Sequence, residues 1–466
     1  MFFRTIHIFV ILLLTKSSLQ QTRRLGRFRE IFAWKQLTYN INGNILLQDR
    51  FGDIEDNRKK RETGKIVFQN DKSESGDRDW NEPPQNATNN TSTTDPSSEV
   101  GSFFIQYNNV PMGVERVGER LFITVPRRRY GIPSTLNYID LKDSKSRSPS
   151  LRPYPDLWQA RSLTSVYRTR ADKCGRLWMV DTGLLEIPDN PRQLQTPAIV
   201  IFDLKNDKQI LRYPFKSSDI PAANTPTGLA SLTVDINEDC SDAYAYVVDL
   251  TTFGIIVYSL KDNDSWRHTH AYLHFNPTAA NLNIAGESFQ WSDGVFSITL
   301  TEPQADGCRT AYFHPLISTE EFAVSTCVLK NRAIRSDRNY FSLYSYVGKR
   351  GDGSQSTMHE YHQKSGTIFF AEIGRDAVSC WNSGKMLNPS NIAMLAQDRQ
   401  RMSYPSDLHV TDDEVWVMAN TLPRFGYSRL DTNEYNFYIY SGNVNELIAD
   451  TVCSAPRMYL EFKKND

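Results

Sequence analysis

Arg176-Leu-Trp-Met-Val-Asp181 is a short apolar run that follows a glycine turn and stops at a polar break, and the chain carries five more of its kind. These are Arg120-Leu-Phe-Ile-Thr-Val125, Ala243-Tyr-Ala-Tyr-Val-Val-Asp249, Thr310-Ala-Tyr-Phe-His314, Gly366-Thr-Ile-Phe-Phe-Ala371 and Glu414-Val-Trp-Val-Met-Ala419. From Leu121 to Val415 the copies recur about every 59 residues, a period that signals a repeat architecture. A second strand-like segment follows each copy, at 136–141, 199–204, 255–260, 322–329, 377–381 and 437–440. Runs rich in Val, Ile, Tyr and Phe between Gly, Pro, Asn and Asp are strand chemistry. Helical periodicity is scarce, and its best stretch is 388–399.

Six radial units of about four strands each make an all-β, six-bladed β-propeller, which removes the exposed sheet edges. The unit is longer than the roughly 40 to 50 residues of common propeller repeats, so long connecting loops are expected. Strand-like segments before the first copy (32–39) and after the last (457–462) predict ring closure by the terminal segments in a shared blade. Six cysteines leave many pairings open, and the phase of the repeats selects among them. Cys174 and Cys240 sit at the same end of successive leading strands, Cys308 and Cys327 flank one strand of a single unit, and Cys380 with Cys453 remain.

The 466 residues include 53 basic and 54 acidic ones, a net charge of -1, which excludes recruitment to nucleic acid or an acidic membrane by bulk charge. With 39% hydrophobic, 12% aromatic and 23% charged residues, the chain folds over most of its length. Arg4, the apolar run Ile8 to Leu14 and the small polar stretch to Gln21 read as a secretory signal peptide over 1–20, leaving one exported domain over 21–466. The apolar run is far short of the ~20 residues that span a bilayer. Export predicts disulfides rather than a thiol or metal role for the cysteines. Sequons stand at Asn86, Asn89, Asn90 and Asn263, three of them in a polar tract (69–99) that reads as a disordered, glycosylated insertion. Arg58-Lys-Lys-Arg61, just before it, is a solvated charged turn or a processing site.

Several words in order resemble the insect Yellow and major royal jelly protein family: Arg120 to Arg127 with Gly131-Ile-Pro-Ser-Thr-Leu-Asn137, Asp172 to Gly183, Tyr244 to Asp249, Phe289-Gln-Trp-Ser-Asp-Gly294, Tyr312-Phe-His-Pro-Leu316, 369–382, and Tyr404-Pro-Ser-Asp407 with Trp416 to Asn420. The resemblance covers about 31–462 and is closer to a Yellow-type member than to a royal jelly storage protein, since no long Asn/Met-rich tail follows. The polar insertion departs from the usual pattern. The resemblance implies the same six-bladed propeller and a secreted factor of cuticle pigmentation and melanin. Family members include dopachrome-converting enzymes and salivary proteins that bind biogenic amines in the central channel.

No His-Glu-x-x-His, Gly-x-Ser-x-Gly or Walker-type motif occurs. His268, His270 and His274 have metal-like spacing in a loop-like stretch and read as structural, so neither a metal nor a cofactor is expected. Gly351 to Ser356 reads as an inter-strand loop rather than a phosphate cradle. Small molecules bind where propeller strands converge, so polar residues at strand ends are the candidates: Asp181, Thr182, Asp249, Gln355, Asn382, Asp407 and Asn420. Asn420 with Leu422 and Phe425 supplies an acceptor and an apolar wall for a small aromatic amine or catechol. A dopachrome isomerase would need a base of near-neutral pKa, for which Asp407, Asp181 and Glu287 are the candidates. A calcium-dependent lactonase-like propeller would instead need an inward Glu, Asn, Asn, Asp set. The expected partner is the small ligand alone, bound by an extracellular monomer.

Overall fold

The computed structural model describes residues 25–50, 103–142, 145–188, 190–222, 228–237 and 239–454. The signal peptide, the tetrabasic run, the polar tract with Asn86, Asn89 and Asn90, and the segment 457–462 lie outside them. Six four-stranded antiparallel sheets form the six blades of a β-propeller.

In blade one the strands are Gly113–Val117, Arg120–Thr124, Leu136–Asp140 and Arg152–Pro153; in blade two, Val166–Ala171, Arg176–Asp181, Ala198–Asp203 and Lys208–Pro214. Blade three has Ser231–Ile236, Ala243–Asp249, Gly254–Ser259 and Asp264–Thr269; blade four, Val295–Leu300, Thr310–Pro315, Glu320–Ser325 and Tyr344–Lys349. Blade five has Ser356–His362, Thr367–Glu372, Ala377–Asn382 and Ile392–Gln397. Blade six takes Pro405–Thr411, Glu414–Asn420 and Phe437–Asn443, and its outer strand is the N-terminal Arg29–Trp34. A terminal strand from upstream of the first repeat thus completes the last blade.

The six quoted copies are the second strand of each blade, not the innermost. First strands pack on those of neighbouring blades: Val295–Leu300, Ser356–His362 and Pro405–Thr411 lie side by side, as do Gly113–Val117 and Val166–Ala171. Second strands have a partner on either side and two covered faces, so they read as unbroken apolar runs such as Thr367–Glu372, buried throughout. Inner strands carry polar residues that the fold buries, Ser356-Thr-Met-His-Glu-Tyr-His362 for one, and lack that signal.

Two further expectations are corrected. The stretch 388–399 is no helix: Ile392–Gln397 pairs with Ala377–Asn382, because an open sheet edge outweighs the modest helix preference of Ala, Met, Leu and Gln. His268 is not in a loop but on the outer strand Asp264–Thr269.

The residues fall into two compact units. One comprises Trp34–Ser231 and Asp431–Phe437 and holds blades one and two around Phe122, Tyr154, Met179 and Phe202. The other comprises Leu232–Leu430 with the flanking terminal segments and holds the bulk of blades three to six; its cores centre on Tyr246, Trp266, Phe313 and Tyr344, and on Ile368, Phe370 and Trp381.

No cysteine is free. Cys308 pairs with Cys327 and Cys380 with Cys453, and Cys174 and Cys240 are both disulfide-bonded. The second of these bridges fastens the C-terminal segment to blade five, where the Cys453 carbonyl also accepts from Thr367 Oγ1 (3.1 Å) and Asn382 Nδ2 (3.2 Å). A Cys380→Ser/Cys453→Ser double variant should lose about 2 to 4 kcal/mol of stability, read as a lower denaturant midpoint. An unshifted midpoint would show that the segment is held without the bridge.

Candidate functional site: a buried carboxyl beside an aromatic hairpin

Antiparallel pairing sets the end of each second strand beside the start of its inner strand, Glu372 opposite Ser356 and Ala419 opposite Pro405. In the larger unit three excursions meet at that end. They are the single turn Ile373–Arg375, the short helix Leu422–Tyr427, and a hairpin of Asn281–Ile284 with Glu287–Gln290 that precedes blade four and packs on both.

The helix is started by Asn420, whose Oδ1 accepts from Leu422 N (3.0 Å), with Pro423 in the first turn and Leu422 and Phe425 buried. Its exposed side grips the hairpin: Arg424 Nη2 donates to Ala285 O (2.7 Å) and Ser428 Oγ to Glu287 Oε1 (2.5 Å). Trp291 Nε1 donates to the Tyr427 hydroxyl (2.6 Å), and Phe289 stacks on Tyr427 with centroids 4.7 Å apart. Tyr404 meets Trp291 edge-on at 5.9 Å. Four aromatic rings therefore stand together, of which Tyr427 is 53% exposed.

Asp376 closes the turn that follows the second strand of blade five. It takes a left-handed conformation (φ 50°), which Asp tolerates better than most residues. Gly374, two residues earlier, has no room for a side chain: a Cβ there would lie 2.5 Å from both Gln355 Oε1 and Gly353 O. Arg375 secures the turn from outside, donating to Asp352 O (2.9 and 2.7 Å) and to Glu372 (3.0 Å).

The Asp376 side chain is 8% exposed, and its Oδ1 has no hydrogen-bond partner. Burial pushes its carboxyl up to about 6, against the pull of the Tyr404 backbone N–H and the neighbouring Ser403. Gln355 lies against the same turn: its backbone oxygen accepts from Ile373 N (2.8 Å), its Nε2 donates to Ala279 O (2.8 Å), and its Oε1 is left unpartnered. Unmade hydrogen bonds at buried polar atoms are costly and rare in folded proteins. Here two of them, on Gln355 and on Asp376 itself, mark the one carboxyl among the described residues that is tuned towards neutral pH.

Of the residues expected from sequence, this arrangement gathers Gln355, Asn420, Leu422, Phe425 and Glu287. Asn382 lies elsewhere in blade five, its Oδ1 accepting from Gly384 N (3.0 Å). Asp407 is fully buried in the inner strand of blade six, 3.3 Å from His409 Nε2. Asp181 belongs to the other unit, where its carboxylate takes backbone N–H groups of Thr164, Ser165 and Gly183 and the Arg212 guanidinium. Thr182 donates to Ser165 O (3.1 Å) in the same corner. Asp249 holds Arg267 (3.0 Å) and the turn at Thr251. His268 bonds Tyr340 and Leu329 O, and burial lowers its pKa to about 4; His270 caps the next turn, and His274 stacks on Phe253 at 4.4 Å. These three do not converge on a point. Asp376, Ser403 and the hairpin rings escaped the sequence reading. A Gly-Arg-Asp turn between two apolar strands was the available sign.

Residues 164–453 match the family model described as Major royal jelly protein. L-dopachrome tautomerase yellow-f of Drosophila melanogaster is 45% identical over 368 residues, 77% of this chain and 84% of that protein. Dopaminechrome tautomerase of the same fly is 35% identical over 378 residues, covering 78% and 80%. Protein yellow of that species is 38% identical over 374 residues, covering 78% and 68%. With the repeat words, the six blades and these matches in agreement, the chain belongs to the Yellow and major royal jelly protein family.

Proposed function

We propose that the protein is a secreted aminochrome tautomerase acting in the melanin pathway of cuticle pigmentation, with Asp376 as its general base. The observation that carries this reading is the Asp376 carboxyl, pushed up to about 6 with one oxygen unpartnered, where a base of near-neutral pKa works best. A tautomerase moves a proton from a ring-adjacent carbon to a quinone oxygen, with no net redox change. Asp376 takes the proton and returns it, the Gln355 Oε1 accepts from a ring N–H or hydroxyl, and Phe289, Trp291 and Tyr427 face the flat ring. The two relatives named as tautomerases of dopachrome and dopaminechrome support the substrate class. The disulfides support export, and the sequon Asn263 is exposed on the turn after Ser259.

A second reading, capture of an aromatic amine or catechol without turnover, is favoured by the same cluster of rings, whose faces attract cations. The lactonase-like alternative gains no support: Asn382 and Asn420 spend their side-chain oxygens on Gly384 N and Leu422 N. Purified protein should discharge the colour of dopachrome or dopaminechrome faster than buffer alone. If neither is accelerated but dopamine, serotonin or dopa gives binding heat in calorimetry, the capture reading replaces the tautomerase; if neither signal appears, both fall.

A further inference from the structure

Between blades four and five lies a second buried polar cluster that the tautomerase reading does not use. His314 ends the second strand of blade four, Glu321 opens the third, and His359 sits on the inner strand of blade five; all three are fully buried. His314 Nε2 lies 3.1 Å from the carbonyl oxygens of Ser356 and Thr357, so that nitrogen carries its proton. In the neutral ring the Nδ1 lone pair then faces Glu321 Oε2 at 3.1 Å. His359 Nδ1 lies 2.7 Å from Ser297 Oγ, and with the proton on that nitrogen its Nε2 lone pair faces Glu321 Oε1, also at 3.1 Å. That second contact is not aligned as a hydrogen bond, and both atoms are without a partner.

The His314 lone pair therefore faces the carboxylate, and that of His359 joins it in the tautomer whose Nδ1–H donates to Ser297 Oγ; in that tautomer the cluster calls for positive charge between the rings. Arg350 lies beside it, its Nη1 2.6 Å from Glu321 Oε2. The donor atoms of the three residues lie within 4.8 Å of one another. Ligands about 2.1 Å from a single ion stand about 3.4 Å apart at tetrahedral angles, close to the 3.1 Å of each His–Glu contact. The outer nitrogen of each imidazole is held by a carbonyl or hydroxyl oxygen, as the outer nitrogen of a metal-bound histidine usually is. Phe370 stacks on His359 (5.6 Å) and closes the site with apolar surface.

We infer that His314 Nδ1, His359 Nε2 and Glu321 bind one divalent transition ion of the zinc class that ties blade four to blade five. Two nitrogens and one carboxylate suit such an ion better than Ca²⁺ or Mg²⁺, which prefer oxygen. The other cluster of potential ligands among the described residues, Asp306 with Cys308 and Cys327, is not a rival, since its sulfurs form a disulfide.

The test is elemental analysis of full-length protein purified without chelator, alongside the His359→Gln variant, with Co²⁺ added to chelator-treated wild type. The inference expects about one ion per chain, a large loss of it in the variant, and the visible absorption of a cobalt site with nitrogen ligands. If the variant does not fold, the cobalt spectrum of the wild type decides. Folded wild type with no bound metal and no cobalt spectrum, or a variant that keeps its ion, overturns the inference and leaves a proton-sharing His–Glu–His cluster.

Discussion

Replacing Asp376 by Asn should lower the rate of aminochrome conversion at neutral pH by about 10²- to 10⁴-fold, the usual worth of a positioned general base. The amide keeps the size of the carboxyl and its acceptor for the Tyr404 N–H, so folding should survive. Stability should in fact rise. A carboxyl whose folded pKa lies near 6, above an unfolded value of about 4, binds its proton more tightly when folded. Its stabilising contribution is complete below the unfolded value and fades as pH climbs through 6, so the ionised group is a burden at pH 7. An always-neutral Asn removes that burden, a gain of up to about 3 kcal/mol by the same linkage. Activity lost with stability gained is the signature of a residue kept for chemistry. A variant that is both slower and less stable would assign Asp376 to the scaffold.

The second large effect is expected at Arg350, and it is structural. This fully buried guanidinium donates to Glu321 Oε2 (2.6 Å) and to the carbonyls of Glu320 (2.8 Å), Ser318 (3.0 Å) and Ser354 (3.2 Å). Arg350→Met keeps the stem and removes the charge, leaving a buried carboxylate without its guanidinium partner. Breaking such a pair from one side costs about 3 to 5 kcal/mol, against a total stability of about 5 to 15 kcal/mol for a domain. Chemical denaturation should show that loss, and adding Glu321→Gln should recover part of it, since the stranded charge is then gone. A cost below about 1 kcal/mol would mean that solvent reaches Glu321.

The repeat was legible because one strand per blade is covered on both faces. Strands such as Arg176–Asp181 and Thr367–Glu372 bury nearly every residue, and that requirement writes itself into composition. What sequence could not supply was the phase of the blade. The innermost strands hold Ser356, Thr357, His359 and Asp407 fully buried, satisfied by neighbours tens of residues away, such as Ser297 Oγ for His359 and Pro405 O for Thr357. Nothing local announces such contacts. The site divides in the same way. Gln355 and Asn420 could be found because polar residues at strand ends are visible one by one. Asp376 could not, since its shifted carboxyl depends on burial in the folded chain, and the groups that bond it, Ser403 and the Tyr404 N–H, lead into the next blade. The pairing of Cys380 with Cys453 was legible only once the repeat had been counted.

The central claim is that a carboxyl titrating near 6 moves the substrate's proton, and the pH dependence of kcat/KM for dopachrome, corrected for the buffer reaction, tests it most directly. Wild type should gain activity as pH rises through about 6 and then level off, because the base works only when ionised, while Asp376→Asn should keep a low residual rate without that rise. A wild-type profile with no inflection near 6, or the same inflection persisting in Asp376→Asn, would contradict the account.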